Sequence, residues 1–424
     1  MKDPFRKICM VGLGYIGLPT AVIFALRNIE VIGLDIDEST VNRINRGECH
    51  IVEPGLEDAL RASVGAGLLR ATTVPEPAQA FLIAVPTPFL MGDNEKFPDL
   101  SYVESAARKI APVLKAGDLV VLESTSPVGA TEQMAAWLAE ERPDLTFPQS
   151  HGEESDIRIA HCPERILPGH ALRELVTNDR VIGGMTPACA ARARELYRMV
   201  VEGDCVETDA RTAEMAKLTE NSFRDVNIAF ANELSIICDR LGIDVWELIR
   251  LTNRHPRVNI LQPGPGVGGH CIAVDPWFII ARTPELARMM RAARDINDQK
   301  PEWVLQKIRE AVAAKGEGAS IACFGLTFKP NIDDLRESPA VEIVRRLTEE
   351  FPGRVKVVEP HIQVLPPALA GKAGLVPMGE AMEAEICVML VDHAKFRDAP
   401  PPSGASQITV DTRGIWRKAE LAHA

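Results

Sequence analysis

The 424-residue sequence has no CxxC pair, no apolar run of membrane-spanning length and no excess of positive charge. Each absence excludes something. A membrane helix needs roughly 18 or more uninterrupted apolar residues, and no stretch here approaches that. The nine cysteines (Cys9, Cys49, Cys162, Cys189, Cys205, Cys238, Cys271, Cys323 and Cys387) are odd in number. Their spacing argues against a disulfide framework and a structural zinc, and for a reducing compartment. Most should serve as small core residues. Lysine and arginine total 47 against 59 acidic residues, a net charge of −12. A field of that sign does not draw nucleic acid or an anionic membrane, so neither is an expected partner. The first residues hold no long apolar h-region and no cleavage signature, and the run Ile8–Gly14 is too short and glycine-rich for one. A cytoplasmic protein is expected.

Apolar residues make up 46% and charged residues 25%, an ordinary globular balance. At roughly 100–200 residues per domain, the length predicts two or three domains. KICMVG (7–12), EVIGLD (30–35), FLIAVPTP (81–88) and DLVVLESTS (118–126) read as strands that stop at polar or proline-bearing loops. Helical segments alternate with them, which indicates a doubly wound parallel sheet whose ligands bind at the carboxyl ends of the strands. From about Thr208 to Gly242 there is neither proline nor internal glycine, and apolar positions recur at helical spacing. One long helix is expected there, with ELIRLTNRH as another. RVNILQPGPGVGGHC is a loop, because its prolines and glycines exclude regular structure. A second α/β lobe begins near Ser320, with strands in SIACFGLTF, RVKVVEP, AEICVMLVD and ITVDTRGIW. The fold class is therefore α/β, with two Rossmann-like doubly wound lobes joined by a central helical domain with one long helix.

Gly12, Gly14 and Gly17 form GxGxxG between the first strand and the first helix. The first glycine permits a tight turn, the second lets pyrophosphate approach the backbone, and the third allows close helix–strand packing. The phosphates would sit on the helix N-terminus. Asp35 ends the second strand, where a carboxylate accepts ribose hydroxyls and repels a 2′-phosphate, which favours NAD over NADP. Asp37 is the alternative for that role, and an ordinary glycine turn with a surface aspartate is the bland reading.

Cys271 lies in PGPGVGGHCIAVDPWFI. Glycines that bring backbone N–H groups near the sulfur favour a thiolate nucleophile over a buried structural thiol. His270 adjoins it, but neighbouring side chains rarely face each other. His161–Cys162 and His270–Cys271 lack a third ligand at fitting spacing, so no metal site is expected. Lys217, Asn221 and Arg224 fall at i, i+4 and i+7 on the long helix and share one face, suited to an oxyanion or a phosphorylated ligand unless it is merely solvated. Glu214 and Glu220 read as solvent-facing or salt-bridge residues. Glu164, in HCPERILPG after a strand, could serve as general base or hold a water. Thr125 and Thr131 in ESTSPVGATE flank a helix start, where capping is the alternative. Asp275 follows Cys271 by four residues and shares its face if a helix begins there. Lys329, Arg336, His255 and Arg257 are basic groups for which a surface role is the simplest account taken singly.

GLGYIGLP, VPTP, ESTSPVG, PERILPG, KLTENSFRDVNIAFANEL, PGPGVGGHC and FGLTFKPNIDDLRESPA occur in the order found in the UDP-glucose/GDP-mannose dehydrogenase family, which the chain resembles over essentially its whole length. INRGECHIVEPGL, CPERILPG and NRHPRVNILQPGPGVGGHCIAVDPWFI resemble the branch that acts on UDP-N-acetyl-D-mannosamine. The UDP-glucose branch usually has lysine three residues after the cysteine, where this sequence has Val274. FLMGDNEKFPDL is longer than in that closest branch and is expected to be a surface loop.

The resemblance implies an NAD-binding domain (1–207), a central helical domain for dimerisation (208–316) and a UDP-sugar domain (317–424). It implies a homodimer around the long helix. It makes Cys271 the nucleophile and Lys217 the acid/base or oxyanion group, with Asn221, Glu164, Asp275 and Thr125 assisting. Tyr15, Ile16, Asp35, Thr87, Thr131 and Arg336 would join the glycines on NAD. Arg165, Ile166, Lys217, Asn221, Arg224, His255, Arg257, Gly268, Phe328 and Lys329 would line the UDP-sugar site, with Arg413 reaching across the dimer. The implied activity is a four-electron oxidation at C6 through a thiohemiacetal and a thioester. The first proton goes to Lys217 or to a water held by Glu164 and Asp275. Another UDP-sugar (UDP-N-acetylglucosamine or UDP-glucose), a two-electron hydroxyacid dehydrogenase and a non-catalytic nucleotide-sugar sensor stay open.

Overall fold

The computed structural model of the protein describes residues 5–91, 96–167, 169–404 and 406–416. Two compact units emerge, Met1–Glu220 with Trp277–Thr283, and Asn221–Pro276 with Pro284–Ala424.

In the first unit the strands are β1 (Lys7–Val11), β2 (Glu30–Leu34), β3 (Leu69–Thr72), β4 (Ala80–Ile83), β5 (Phe89–Met91), β6 (Lys96–Pro98), β7 (Leu119–Leu122), β8 (Arg158–His161), β9 (Arg180–Gly184) and β10 (Cys205–Asp209). Apart from the hairpin pair β5–β6, they form one sheet in the order β10-β9-β8-β7-β4-β1-β2-β3. Neighbours run parallel except β8 and β9, which pair antiparallel. Helices cover both faces, so the central strands β4 and β7 are apolar along their whole length. Alternate side chains enter different cores. Ile8, Met10 and Leu82 join one cluster, while Cys9, Val11, Phe81 and Ile83 join the other. Full burial of each such side chain contributes about 1.5–3 kcal/mol. The strand order departs in opposite directions from β1 and β4, so the ligand crevice lies where those two strands end.

The second unit repeats the plan. Strands β11 (Ile321–Phe324), β12 (Val355–Val358), β13 (Gly374–Leu375), β14 (Ile386–Met389) and β15 (Ile408–Asp411) pair in parallel in the order β13-β12-β11-β14-β15. The switch here falls between β11 and β14. The long helix is Ala210–Leu241, and its residues from Asn221 onward belong to this unit. A second helix, Arg288–Lys315, packs there through buried polar groups. Arg294 donates to Asp225 at 2.6 Å, Asn297 donates to Asp225 at 2.8 Å, and Asn232 donates to Asn297 at 2.9 Å. Such a buried network favours one packing of the two helices.

The two lobes share one local construction. Gly12 follows β1 at φ +88°, and a Cβ there would lie 2.5 Å from the Ala84 carbonyl oxygen beyond β4. Gly325 follows β11 at φ +93°, and its Cβ would lie 2.4 Å from Val391 Cβ beyond β14. In each lobe the next N–H is clamped by an acid just past the neighbouring strand. Leu13 N donates to Asp35 at 2.9 Å, and Leu326 N donates to Glu359 at 2.7 Å.

FLMGDNEKFPDL is not a plain surface loop. It contributes the hairpin β5–β6, although residues 92–95 lie outside the described ones. Phe89 meets the Phe278 ring edge-on at 6.1 Å, and Lys96 Nζ lies 5.1 Å from the Trp277 ring. Aromatic packing therefore orders the insertion.

Gly325→Ala should destabilise the protein by at least about 2 kcal/mol, from a backbone clash and a left-handed residue combined. Urea unfolding would measure it, and an unchanged midpoint would refute the steric account.

Candidate active site

The crevice of the first lobe fits a dinucleotide. A Cβ on Gly17 would lie 1.8 Å from the Gly12 carbonyl oxygen, so only glycine lets the helix Gly17–Leu26 start against the turn. That helix has no side-chain cap; Leu18 N already donates to the Gly14 carbonyl at 3.0 Å and Pro19 has no N–H, so what its start offers an anion is chiefly the helix dipole. Gly14 faces open space, with nothing within 4 Å of a Cβ built there. Tyr15 is exposed and Ile16 half-buried beside it. Asp35 accepts from Leu13 N and, at 3.0 Å, from Asp37 N. Asp37 instead caps the next helix, accepting from Ser39 N and Thr40 N, both at 3.1 Å. Of the two aspartates, Asp35 is the one built into the glycine turn.

The loops after β4 and β7 are bound together where those strands end. Thr87 Oγ1 donates to the Thr125 carbonyl at 2.7 Å, and Ser124 Oγ donates to the Val85 carbonyl at 2.7 Å. Thr131 is fully buried, with its hydroxyl and N–H both given to Glu214 at 2.6 and 2.8 Å. Glu214 also accepts from Gly129 N at 2.7 Å. This carboxylate caps the helix Ala130–Glu141. Glu214 is thus a buried capping group rather than the solvent-facing residue its spacing suggested, and burial pushes its carboxyl above the usual range against the pull of those donors. Glu220 does form a salt bridge, at 2.6 Å to Arg165.

Glu164 lies in the loop after β8 and is 7% exposed. It accepts from Ile166 N at 2.8 Å. Burial pushes its carboxyl up, opposed by Arg180, the Ile166 N–H and Lys217. A base needs that upward shift to work near neutral pH. Lys217 is half-buried in the first-unit part of the long helix.

In the second unit Cys271 is exposed. Its carbonyl accepts from Val274 N at 3.0 Å and Asp275 N at 2.8 Å, a turn that leads into the helix Asp275–Arg282. Asp275 is buried and accepts from Asn221 Nδ2 at 2.5 Å. The structure thus brings Cys271, Asp275 and Asn221 together. The glycines before Cys271 have a further reason. A Cβ on Gly268 would lie 2.3 Å from the Glu337 carbonyl oxygen, and one on Gly269 would lie 2.8 Å from the Phe328 ring. They let the cysteine loop press on the segment after β11. Asn232, on the long helix, fixes the loop's start by accepting from Gly264 N at 2.9 Å.

A small cleft opens beyond β11 and β14, lined by Gly266, Phe328, Pro330, Val391, Asp392 and Arg413 among others. Arg413 donates to Asp392 at 2.7 Å and to the Pro263 carbonyl at 3.3 Å, so within one chain it is held by its own unit. Lys329 is half-buried at the cleft's edge in sequence, and Arg336 is exposed and pairs with Asp334 at 2.6 Å. Arg224, His255 and Arg257 are all exposed. Among the described residues, no group of His, Cys, Asp and Glu could hold a metal ion, and no helix is long and apolar enough to cross a membrane.

Sequence reasoning missed Glu214, Asn232 and a buried trio behind Glu164, formed by Arg180, Glu123 and Tyr197. Their partners lie 16 to 85 residues away in sequence. The only signal was charge or amide inside otherwise apolar segments, as in VVLES and RVIGG.

A dinucleotide crevice at one switch point and a second cleft at another are the parts of a nucleotide-dependent oxidoreductase. Comparison with known proteins narrows this. Residues 6–201, 211–299 and 322–418 match, in turn, the NAD binding domain, the central domain and the UDP binding domain of the UDP-glucose/GDP-mannose dehydrogenase family. An NDP-N-acetyl-D-galactosaminuronic acid dehydrogenase of Ralstonia nicotianae is 63% identical, covering 99% of this chain and 98% of its own. The UDP-N-acetyl-D-mannosamine dehydrogenase of Escherichia coli is 62% identical, covering 97% and 100%. The structure of a Pyrococcus horikoshii UDP-N-acetylmannosamine dehydrogenase superposes with a TM-score of 0.87 at 38% identity, covering 98% and 97%. The chain belongs to the UDP-glucose/GDP-mannose dehydrogenase family. It is an NAD-dependent dehydrogenase of a UDP-sugar, with the α/β lobes its sequence led one to expect.

Asp35→Asn should narrow the preference for NAD over NADP by about tenfold, through removal of one charge from the ribose position. Steady-state kinetics with both cofactors would measure it, and an unchanged ratio would show that Asp35 is not the ribose partner.

Proposed function

We propose that the protein oxidises C6 of UDP-N-acetyl-D-mannosamine to the uronate, through a covalent intermediate on Cys271. The observation that carries the chemistry is the cluster around Cys271. Its sulfur is exposed at the end of a glycine loop, one turn before a buried aspartate that holds Asn221. The sugar assignment rests on the activity named for the Escherichia coli relative. A galactosaminuronic dehydrogenase is as similar, so the N-acetylhexosamine is the part of the assignment that substrate tests must decide.

Gly12, Gly14, Tyr15, Ile16, Gly17, Asp35, Thr87, Thr131 and Arg336 would hold the cofactor, which supplies the hydride acceptor for each oxidation. In the first step the C6 hydroxyl loses its proton to Lys217, or to a water held by Glu164 and Asp275, as hydride leaves C6. The Cys271 thiolate then adds to the aldehyde carbon, and the new alkoxide is stabilised by Lys217 and Asn221. Loss of a second hydride converts this thiohemiacetal into a thioester. Glu164 takes a proton from water, the hydroxide adds to the acyl carbon, and the carbon–sulfur bond breaks to return the thiolate and release the carboxylate. Arg165, Ile166, Arg224, His255, Arg257, Gly268, Phe328, Lys329 and Arg413 would bind the nucleotide sugar, and Thr125 would assist at the reacting carbon. The domains 1–207, 208–316 and 317–424 divide these tasks. The product uronate suits a precursor of surface polysaccharide made in the cytoplasm.

A homodimer also belongs to this reading. Phe223, Phe230, Ile237 and Leu241 are exposed along the long helix at intervals of seven, seven and four. An exposed apolar stripe of that spacing suits a second copy of the same helix.

The wild type should form two NADH per sugar, fastest with UDP-N-acetyl-D-mannosamine in a panel with UDP-N-acetylgalactosamine, UDP-N-acetylglucosamine and UDP-glucose. Cys271→Ser should stop acid formation by at least about a hundredfold while sparing the first hydride transfer. Normal acid formation by that variant would sink the covalent role, and one NADH per sugar in the wild type would favour a two-electron dehydrogenase. Separately, Phe230→Glu should shift the species seen by light scattering from dimer toward monomer, and an unchanged mass would exclude this stripe as the interface.

A further inference from the structure

Behind Glu164 the first unit buries a second carboxylate and one guanidinium that the chemistry above does not use. Arg180 begins β9 and is 3% exposed. Its Nη1 lies 3.8 Å from Glu164 Oε1. Its guanidinium carbon sits 5.8 Å from the centre of the Tyr197 ring. Tyr197, buried on the helix Pro187–Tyr197, donates its hydroxyl to Glu123 Oε1 at 2.6 Å. Glu123 follows β7 and is also 3% exposed. Its Oε2 is buried with no hydrogen-bond partner among the described residues.

Two buried carboxylates thus share one cation. If both were ionised, the cluster would carry a net negative charge out of water, at heavy cost. Like charges at close range push one of the pair toward its neutral form. The surroundings select which. Glu164 keeps a backbone N–H on Oε2 and has Arg180 nearest its Oε1, with Lys217 adding a further pull. Each carboxyl leaves one oxygen without a hydrogen-bond partner, Glu123 Oε2 and Glu164 Oε1, so the cation decides: Arg180 lies within 4 Å of Glu164, and among the described residues no cation lies that near Glu123. Burial pushes Glu123 up to about 7, opposed by Tyr197 and Arg180. The remaining titratable neighbours are Cys162, whose thiol burial pushes up to about 12, and His161, which burial holds neutral. Neither supplies a second positive charge.

We propose that Arg180 is a positioning residue that keeps Glu164 ionised and aimed for thioester hydrolysis, while Glu123, held by Tyr197, carries the proton that would otherwise neutralise Glu164. This rests on Glu164 being the hydrolytic base. No bond forms or breaks at Arg180, Glu123 or Tyr197. A proton stays on Glu123, so Glu164 is free to take one from water and pass it to solvent after the carbon–sulfur bond breaks.

The test has two independent readouts on the full-length enzyme. The first is infrared difference spectroscopy at mildly acidic pH. The carbonyl band of a protonated buried carboxyl should disappear in Glu123→Gln and persist in Glu164→Gln. The opposite assignment would overturn the inference whatever the catalytic route. The second is the pH profile of turnover, with mass spectrometry of acylated Cys271. Arg180→Met should move the acid limb up by about one unit and slow hydrolysis about tenfold at neutral pH, with acyl-enzyme accumulating. Arg180→Lys should restore most of the rate, and Glu123→Gln should keep the acid limb in place. An Arg180→Met enzyme that binds NAD normally with an unshifted limb would also overturn the inference. Should no variant ever show acyl-enzyme, the covalent reading fails, and the infrared assignment still decides the role of Arg180.

Discussion

One steric constraint underlies every part of this molecule that can meet a ligand. The chain leaving the first strand of each lobe must pass against the chain leaving the strand beside it, closer than a side chain allows. Gly12 meets the Ala84 carbonyl in this way, and Gly325 meets Val391. A Cβ at either position would push two strand ends apart and dissolve the crevice between them. The clamps from Asp35 to Leu13 N and from Glu359 to Leu326 N then fix the direction of the chain beyond the glycine. The same principle recurs before the nucleophile, where Gly268 and Gly269 admit close contact with Glu337 and Phe328. Glycine here buries backbone against backbone rather than loosening it.

Charge is handled locally in a chain of net charge −12. Arg294 is buried against Asp225, Glu214 is buried on a helix N-terminus, and Arg180 is buried 3.8 Å from Glu164. Each ion is met by an opposite charge or a row of N–H groups, as burial requires. Glu214, with three donors, shapes structure. Glu164 is held by one backbone N–H and the nearby Arg180, with its Oε1 left without a hydrogen bond, which leaves it able to exchange a proton.

The glycine turn, the long helix and the four strands of the second lobe named from sequence were legible because local pattern alone fixes them. Gly12, Gly14 and Gly17 stand at a spacing with few structural solutions, and a stretch of 34 residues without proline or glycine at Thr208–Leu241 has little choice but to be helical. Cys271 was legible through its glycines, although their contact with Phe328 was not. What escaped reading depends on residues distant in sequence. The antiparallel turn from β8 to β9 has no marker in its own residues. Glu214 looked like a surface acid because its three donors come from a loop more than eighty positions earlier. The hairpin in FLMGDNEKFPDL is short and polar, and only the rings of Phe278 and Trp277 give it a surface to lie on.

The shared construction of the two lobes ends at their first helices. In the first lobe the helix begins at Gly17, five positions after Gly12, and carries no side-chain cap. In the second it begins at Pro339, fourteen positions after Gly325, and Ser338 already occupies its N-terminus. An anion in the first lobe can be met by main-chain dipoles, which every amino acid supplies alike. An anion in the second must be met by the side chains of the intervening loop. The two lobes should therefore age differently under mutation. The first can drift in most of its side chains and keep its ligand. The second can exchange loop residues without disturbing the strand-end glycine, and so offers a lineage the cheaper route to a new substrate.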